Sequence, residues 1–265
     1  MERELPIITI DKHQFTVDGE KLELREVGDP ETVIPFKNMH ENESGYSFYY
    51  NKDLIKEDNC IFATVFTEFE IPDFVQIDPV GIAKRYGLTI DEVKGKTDFD
   101  IMVDQKAFDL RINKGMLPTI NIAGHTFYVD LRMKMLRPKD DFLSNGIHFE
   151  EIDDYFSEER NAYLIPYNPK THEFQEFDWE KCTAFPKDII AIEFPFQKYL
   201  DPIGWNRLGG WNPKDELKHI GLKSHHQAKV IPWEQTELKD IIKENLKNLK
   251  IKPNTSKPSL KGRKR

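Results

Sequence analysis

Leu5 to Arg25 reads LPIITIDKHQFTVDGEKLELR and Leu117 to Arg137 reads LPTINIAGHTFYVDLRMKMLR, with ten of 21 positions identical and no gap. Average composition gives roughly one or two such matches by chance. The likeness continues in order. Ile34-Pro35-Phe36 recurs as Ile147-His148-Phe149, and Tyr46, Tyr50 and Asn51 recur as Tyr163, Tyr167 and Asn168. Glu70, Pro72, Asp78, Pro79 and Gly81 recur as Glu193, Pro195, Asp201, Pro202 and Gly204. The pattern is that of a tandem duplication, which predicts one module built twice.

Each copy opens as a hairpin. A two-residue turn at Ala123-Gly124 sets Ile122 opposite His125, Ile120 opposite Phe127 and Pro118 opposite Val129, all on one face. The first copy repeats this around Asp11-Lys12, with Ile10 opposite His13 and Ile8 opposite Phe15. Further strands are predicted at Gly45 to Tyr50, Ala162 to Tyr167, His172 to Phe177, Ile61 to Ile71 and Asp188 to Phe194. DPVGIAKRYG and DPIGWNRLGG each read as a turn entering a short helix. FEEIDDYFSEER places Phe149, Ile152 and Phe156 on one helical face. Thr236 can cap an amphipathic helix carrying Leu238, Ile241, Ile242, Leu246 and Leu249.

Strands first and a helix late make an α+β fold. The predicted organisation is a first module over 1–103, a connecting segment over 104–115, a second module over 116–234, a C-terminal helix over 235–250 and a disordered basic tail over 251–265. That tail follows from a composition of Asn, Ser, Lys, Gly and Arg.

The net charge of −8 hides a division. Lys250 to Arg265 holds seven basic residues and no acid, which leaves 31 basic and 46 acidic groups on the first 249 residues. An acidic body repels phosphate, whereas Lys261, Arg263, Lys264 and Arg265 can attract nucleic acid without regard to sequence. MERELPIITI has no apolar signal region, no stretch approaches a membrane span, and the two cysteines stand far apart outside any CxxC spacing. These features predict a soluble cytoplasmic protein with no membrane partner.

His13 and His125 are the sharpest candidates for chemistry, because the same residue returns at the same place. The competing role is structural, with a ring nitrogen bonded to turn backbone. Asp18 and Asp130 also return, but five residues of strand separate each from its histidine by about 17 Å and on opposite faces. A His/acid dyad would therefore need an acid from the other module. A metal group can be assembled on paper from His219, His225 and His226 with Asp153, Asp154 or Asp215. Adjacent strand histidines point to opposite faces, however, and no HExxH motif supports them. The expectation is no metal and no cofactor. Trp205, Asn206, Arg207 and Trp211 gather around glycines, a composition typical of recognition surfaces and equally of a sealed module edge.

Two short segments resemble known families. IAKRYGLTIDEV, from Ile82 to Val93, is similar to the turn of helix-turn-helix DNA-binding proteins through Ala83, Gly87, Thr89 and Val93, which would imply DNA reading. Against it, Asp78-Pro79 leaves little room for a preceding helix, Asp91 and Glu92 would face phosphate, and Gly95 interrupts the reading helix. YGLTIDEVKGKTDFD, ending at Asp100, resembles the helical segment of PAS sensor domains through Gly87, Glu92, Gly95, Lys96, Thr97 and Asp98.

Three functions are compatible with these features. The first is a non-enzymatic binding or adaptor protein whose partner is a protein, in contact through Trp205 to Trp211 and the C-terminal stripe. The second is an enzyme using His13 or His125 with an acid in the cleft between modules. The third is a nucleic-acid accessory protein acting through its tail.

Overall fold

The computed structural model describes residues 3–10, 12–29, 31–50 and 67–251. The fold is α+β. It divides into two compact units, one of Met1–Pro118 with Gln197–Ser224 and the other of Thr119–Phe196 with His225–Arg265. Gln197–Ser224, which lies in the stretch assigned above to the second module, thus clusters with the N-terminal part of the chain.

The first unit holds a four-stranded meander and a three-stranded sheet. Its opening strands, Ile7–Ile10 and His13–Asp18, pair Ile10 with His13 and Ile8 with Phe15, the register expected from parity. Phe15, Val17 and Leu24 leave the meander fully buried and meet Tyr46 and Phe48 of strand Gly45–Tyr50. Each such side chain contributes about 1.5–3 kcal/mol by leaving water. A second apolar cluster joins Val103 and Ala107 to Ile203, Leu217 and Leu222.

The second unit holds two five-stranded sheets. Its hairpin, Thr119–Ile122 with His125–Asp130, pairs Ile122 with His125 and Ile120 with Phe127, again as expected. Pro118 stays outside the strand, so its predicted pairing with Val129 does not form. Ala123 and Gly124 both have positive φ, 50° and 93°, the twist that a tight hairpin demands. The other sheet centres on Ala162–Asn168 and Ile190–Pro195. The C-terminal helix, Leu238–Ile251, docks in this unit through Leu238 and Ile242 beside Ile189, Ala191 and Trp233. Leu246 and Leu249 remain exposed.

The DPxG segments form helices Pro79–Tyr86 and Pro202–Gly209. Asp78 and Asp201 cap them by accepting from the Gly81 and Gly204 N–H groups, and the proline occupies a first-turn position with no N–H to satisfy. Each carboxylate also takes an arginine fork. Arg3 pairs with Asp78, and Arg111 Nη2 lies 2.8 Å from Asp201 Oδ2. A Cβ on Gly81 or Gly204 would sit 2.1 or 2.2 Å from the Asp Oδ2, so the glycine in this motif follows from the buried ion pair beside it.

Three sequence expectations need correction. FEEIDDYFSEER forms two 3-10 turns, Phe149–Glu151 and Asp153–Tyr155, and then strand Phe156–Ser157. Phe149 and Ile152 are buried as expected, but Phe156 is taken by pairing with Tyr163, which ends the helical run. The strand predicted over His172 to Phe177 is only Glu173–Phe174. In the helix-turn-helix resemblance the would-be reading helix is Ile90–Val93, four residues and too short to lie along a groove. The residues behind both resemblances have local tasks instead. Thr89 with Glu92 and Thr97 with Asp100 form capping boxes, and buried Asp98 accepts from the Phe74 and Val75 N–H groups. Of the predicted Ile61 to Ile71 strand, Thr67–Pro72 is seen and the earlier part lies outside the described residues.

Candidate functional site

Within the first unit, helix Pro202–Gly209 and its flanks face the segment from Phe36 to Glu41 across a cleft of about 970 Å³. Phe36, Tyr199, Trp205 and Trp211 supply its aromatic lining. Trp211 is 56 % exposed, and its ring lies against Gly209, where a Cβ would come within 2.7 Å. Trp205 is half-buried.

The opposite wall is fixed by His219. Its ring stacks on Phe36 at 4.0 Å, Nδ1 stands 2.6 Å from Glu41 Oε1, and Nε2 stands 3.0 Å from the Phe36 carbonyl oxygen. Both partners are acceptors, so the ring satisfies both only as the imidazolium, donating from each nitrogen. Burial opposes that charge, yet the Glu41 carboxylate and the Phe36 carbonyl prevail and raise the pKa above the usual histidine value. Beneath it Lys218 is buried, with Nζ bonded to the Gly45 carbonyl at 3.0 Å, 3.4 Å from Asp73 and over the Tyr46 ring at 4.1 Å. Tyr46 in turn donates to Asp98 at 2.8 Å. Burial pushes the Asp98 carboxyl up, against the bonds it accepts. Through Lys218, next in the chain to His219, this network ties that wall to strand Gly45–Tyr50.

The two hairpin histidines have different surroundings. In the first unit His13 Nδ1 lies 3.3 Å from Glu26 Oε1, and the Tyr50 hydroxyl donates to Glu26 Oε2 at 2.8 Å. Glu26 is 4 % exposed and stands opposite Phe15 in the register. In the second unit Pro138 stands opposite Phe127. No carboxylate comes from that place, and the buried His125 Nε2 and Tyr167 hydroxyl have no hydrogen-bond partner among the described residues. His125 instead stacks on His172 at 3.8 Å, and His172 Nδ1 lies 2.8 Å from Asp141 Oδ2. Burial and the neighbouring His172 lower the His125 pKa, which favours the neutral ring. Burial, reinforced by the Asp141 charge, raises that of Tyr167. Asp141 is oriented by its own turn, because Oδ1 accepts from the Leu143 and Ser144 N–H groups.

The candidates singled out in the sequence therefore separate. Trp205, Asn206 and Trp211 line the cleft, while Arg207 is exposed and outside its lining. Asn206 is buried and its amide donates to the Asp215 carbonyl, a structural use. Asp18 caps its turn by accepting from the Glu20 and Lys21 N–H groups, and Asp130 does so for Met133 while meeting Arg137. The turn-backbone bond expected for His125 is not found among the described residues. His219, His225 and His226 make no ligand group among the described residues, with His225 Nδ1 2.7 Å from the Thr119 hydroxyl. Lys261, Arg263, Lys264 and Arg265 lie outside the described residues.

Sequence reasoning missed Glu41, His172 and Asp141. The first meets His219 across 178 residues and the others meet across 31, separations that no local spacing reveals. One signal was available: Asp29 and Asp141 stand at the same offset, 112, as the two hairpins. A comparison of the chain with protein-family models, with curated proteins and with solved structures finds no match.

Proposed function

We propose that this is a binding protein, an adaptor that takes up part of a partner protein in the aromatic cleft of its first unit. The observation that carries the reading is the cleft itself, about 970 Å³ in volume, walled by Trp205, Trp211, Tyr199 and Phe36. Concave aromatic surfaces with a few placed polar groups are where binding energy concentrates. Trp211 is large, exposed and free of the core clusters, so its size serves the surface. The paired charges of His219 with Glu41 and Lys198 with Glu216 in the lining supply orientation. No helix among the described residues is long and apolar enough to cross a membrane.

The test is quantitative capture of partners by the full chain and by Trp211→Ala, with retained proteins cross-linked and the contact mapped. The reading expects the partner to cross-link at the cleft and its capture to fall at least tenfold in the variant, the loss typical of an exposed aromatic anchor. Capture unchanged by Trp211→Ala, or cross-links confined to other surfaces, contradicts it. Retention that survives in Trp211→Ala but disappears with nuclease or on truncation at Ile251 would instead favour attachment to nucleic acid through the tail.

An enzymatic reading keeps one supporting observation, the juxtaposition of His125 with a second histidine already held by a carboxylate. Its acid, Asp141, comes from the same unit as His125.

A further inference from the structure

In the second unit His125, on the hairpin, and Tyr167, on strand Ala162–Asn168, carry buried polar atoms without partners among the described residues. Burial of an unpaired nitrogen or hydroxyl costs about 1–3 kcal/mol, so each such atom calls for an explanation. The first hairpin shows what a filled arrangement looks like, since Glu26 engages both His13 and Tyr50. With Pro138 in the place across from Phe127, the second hairpin cannot fill the space with a carboxylate of its own from that position. The second unit gathers a set of ligands instead. Among the described residues, His125, His172 and Asp141 are the one group of three such side chains whose ligand atoms all lie within 4.8 Å of one another.

We propose that His125, His172 and Asp141 bind a divalent transition-metal ion, with Zn²⁺ the best match to the donor set. Two imidazole nitrogens and one carboxylate oxygen suit Zn²⁺ and leave a fourth position for water. Tetrahedral bonds of about 2.0–2.1 Å set ligand atoms roughly 3.3 Å apart. The present spacings, 2.8 Å from His172 to Asp141 and no more than 4.8 Å overall, bracket that value. The rings now lie nearly parallel, 13° apart, so convergence on one ion requires a turn of the His172 side chain. His172 stands on a turn and is half-buried, which leaves room for that rotation. Asp141 keeps its orientation through its bonds to the turn N–H groups, an outer constraint of the kind that ligating carboxylates commonly have. Tyr167 is fully buried and feels the Asp141 charge.

The experiment is a calorimetric titration of Zn²⁺ into the full chain, free of any polyhistidine tag and stripped with chelator, alongside three variants. His172→Asn keeps a residue tolerant of the positive φ of 60° at that position, and His125→Ala removes the other imidazole. His13→Ala is the control, because its histidine already faces Glu26. The expected result is one equivalent bound by wild type and by His13→Ala, with affinity at least about 100-fold weaker in His172→Asn and in His125→Ala. Far-UV circular dichroism of the metal-free proteins checks the fold. Should either variant unfold, Asp141→Asn, which retains an oxygen for the turn, takes its place with the same expectation. No binding by wild type, or binding equally tight in the site variants, overturns the proposal.

Discussion

Each unit sets a hairpin histidine and phenylalanine beside a tyrosine from another strand, yet one arrangement is closed and the other open. His13, Phe15 and Tyr50 surround Glu26, with Phe15 and Tyr50 edge to face at 5.3 Å. His125, Phe127 and Tyr167 keep the edge-to-face contact at 6.5 Å but have a proline where the carboxylate would be. One residue across the strand register thus decides whether two buried polar groups are satisfied from within. Aromatic packing places the ring atoms in both units, and the partner for their polar tips is set independently of it.

The largest expected effect comes from removing the residue that closes the first arrangement. Glu26→Ala leaves His13 and Tyr50 without their carboxylate and should cost about 2–6 kcal/mol in urea unfolding, from two groups at about 1–3 kcal/mol each. Pro138→Ala removes no such partner and should stay within about 1 kcal/mol. Equal costs at the two positions would break the comparison.

His219 sharpens it, as a histidine with both nitrogens engaged. Its folded pKa is raised, so its contribution to stability is complete below the unfolded value near 6.5 and is lost as pH rises through the folded pKa. The urea midpoint of wild type should therefore fall between about pH 6 and pH 9, and fall less in Glu41→Gln, where the charged partner is gone. Identical pH profiles would show that Glu41 does not hold the proton.

What the sequence revealed depended on how local the cause was. The hairpin registers were legible because side-chain parity and a two-residue turn fix them within a dozen residues. The DPxG helices were legible because cap, proline and glycine are adjacent, although the Arg111 that pairs with the capping Asp201 meets it across 90 residues. The 3-10 turns at Phe149–Glu151 and Asp153–Tyr155 were not legible, since the helical spacing of Phe149, Ile152 and Phe156 is overridden by a strand pairing at Phe156. For the candidate sites, Trp205 and Trp211 could be named from composition. Their facing wall at Phe36, Glu41 and His219 is assembled by the fold. His172 and Asp141 likewise acquire significance only beside His125.

The most direct test of the closed and open arrangements is a matched pair of isosteric deletions, Tyr50→Phe and Tyr167→Phe, compared by urea unfolding in the presence of chelator. Tyr50→Phe loses a hydrogen bond to a carboxylate and should destabilise the protein by about 1.5–3 kcal/mol. Tyr167→Phe removes a buried hydroxyl that has no partner among the described residues and should leave stability unchanged or raise it by up to about 1 kcal/mol. Equal losses in the two variants, or a neutral Tyr50→Phe, would contradict the account.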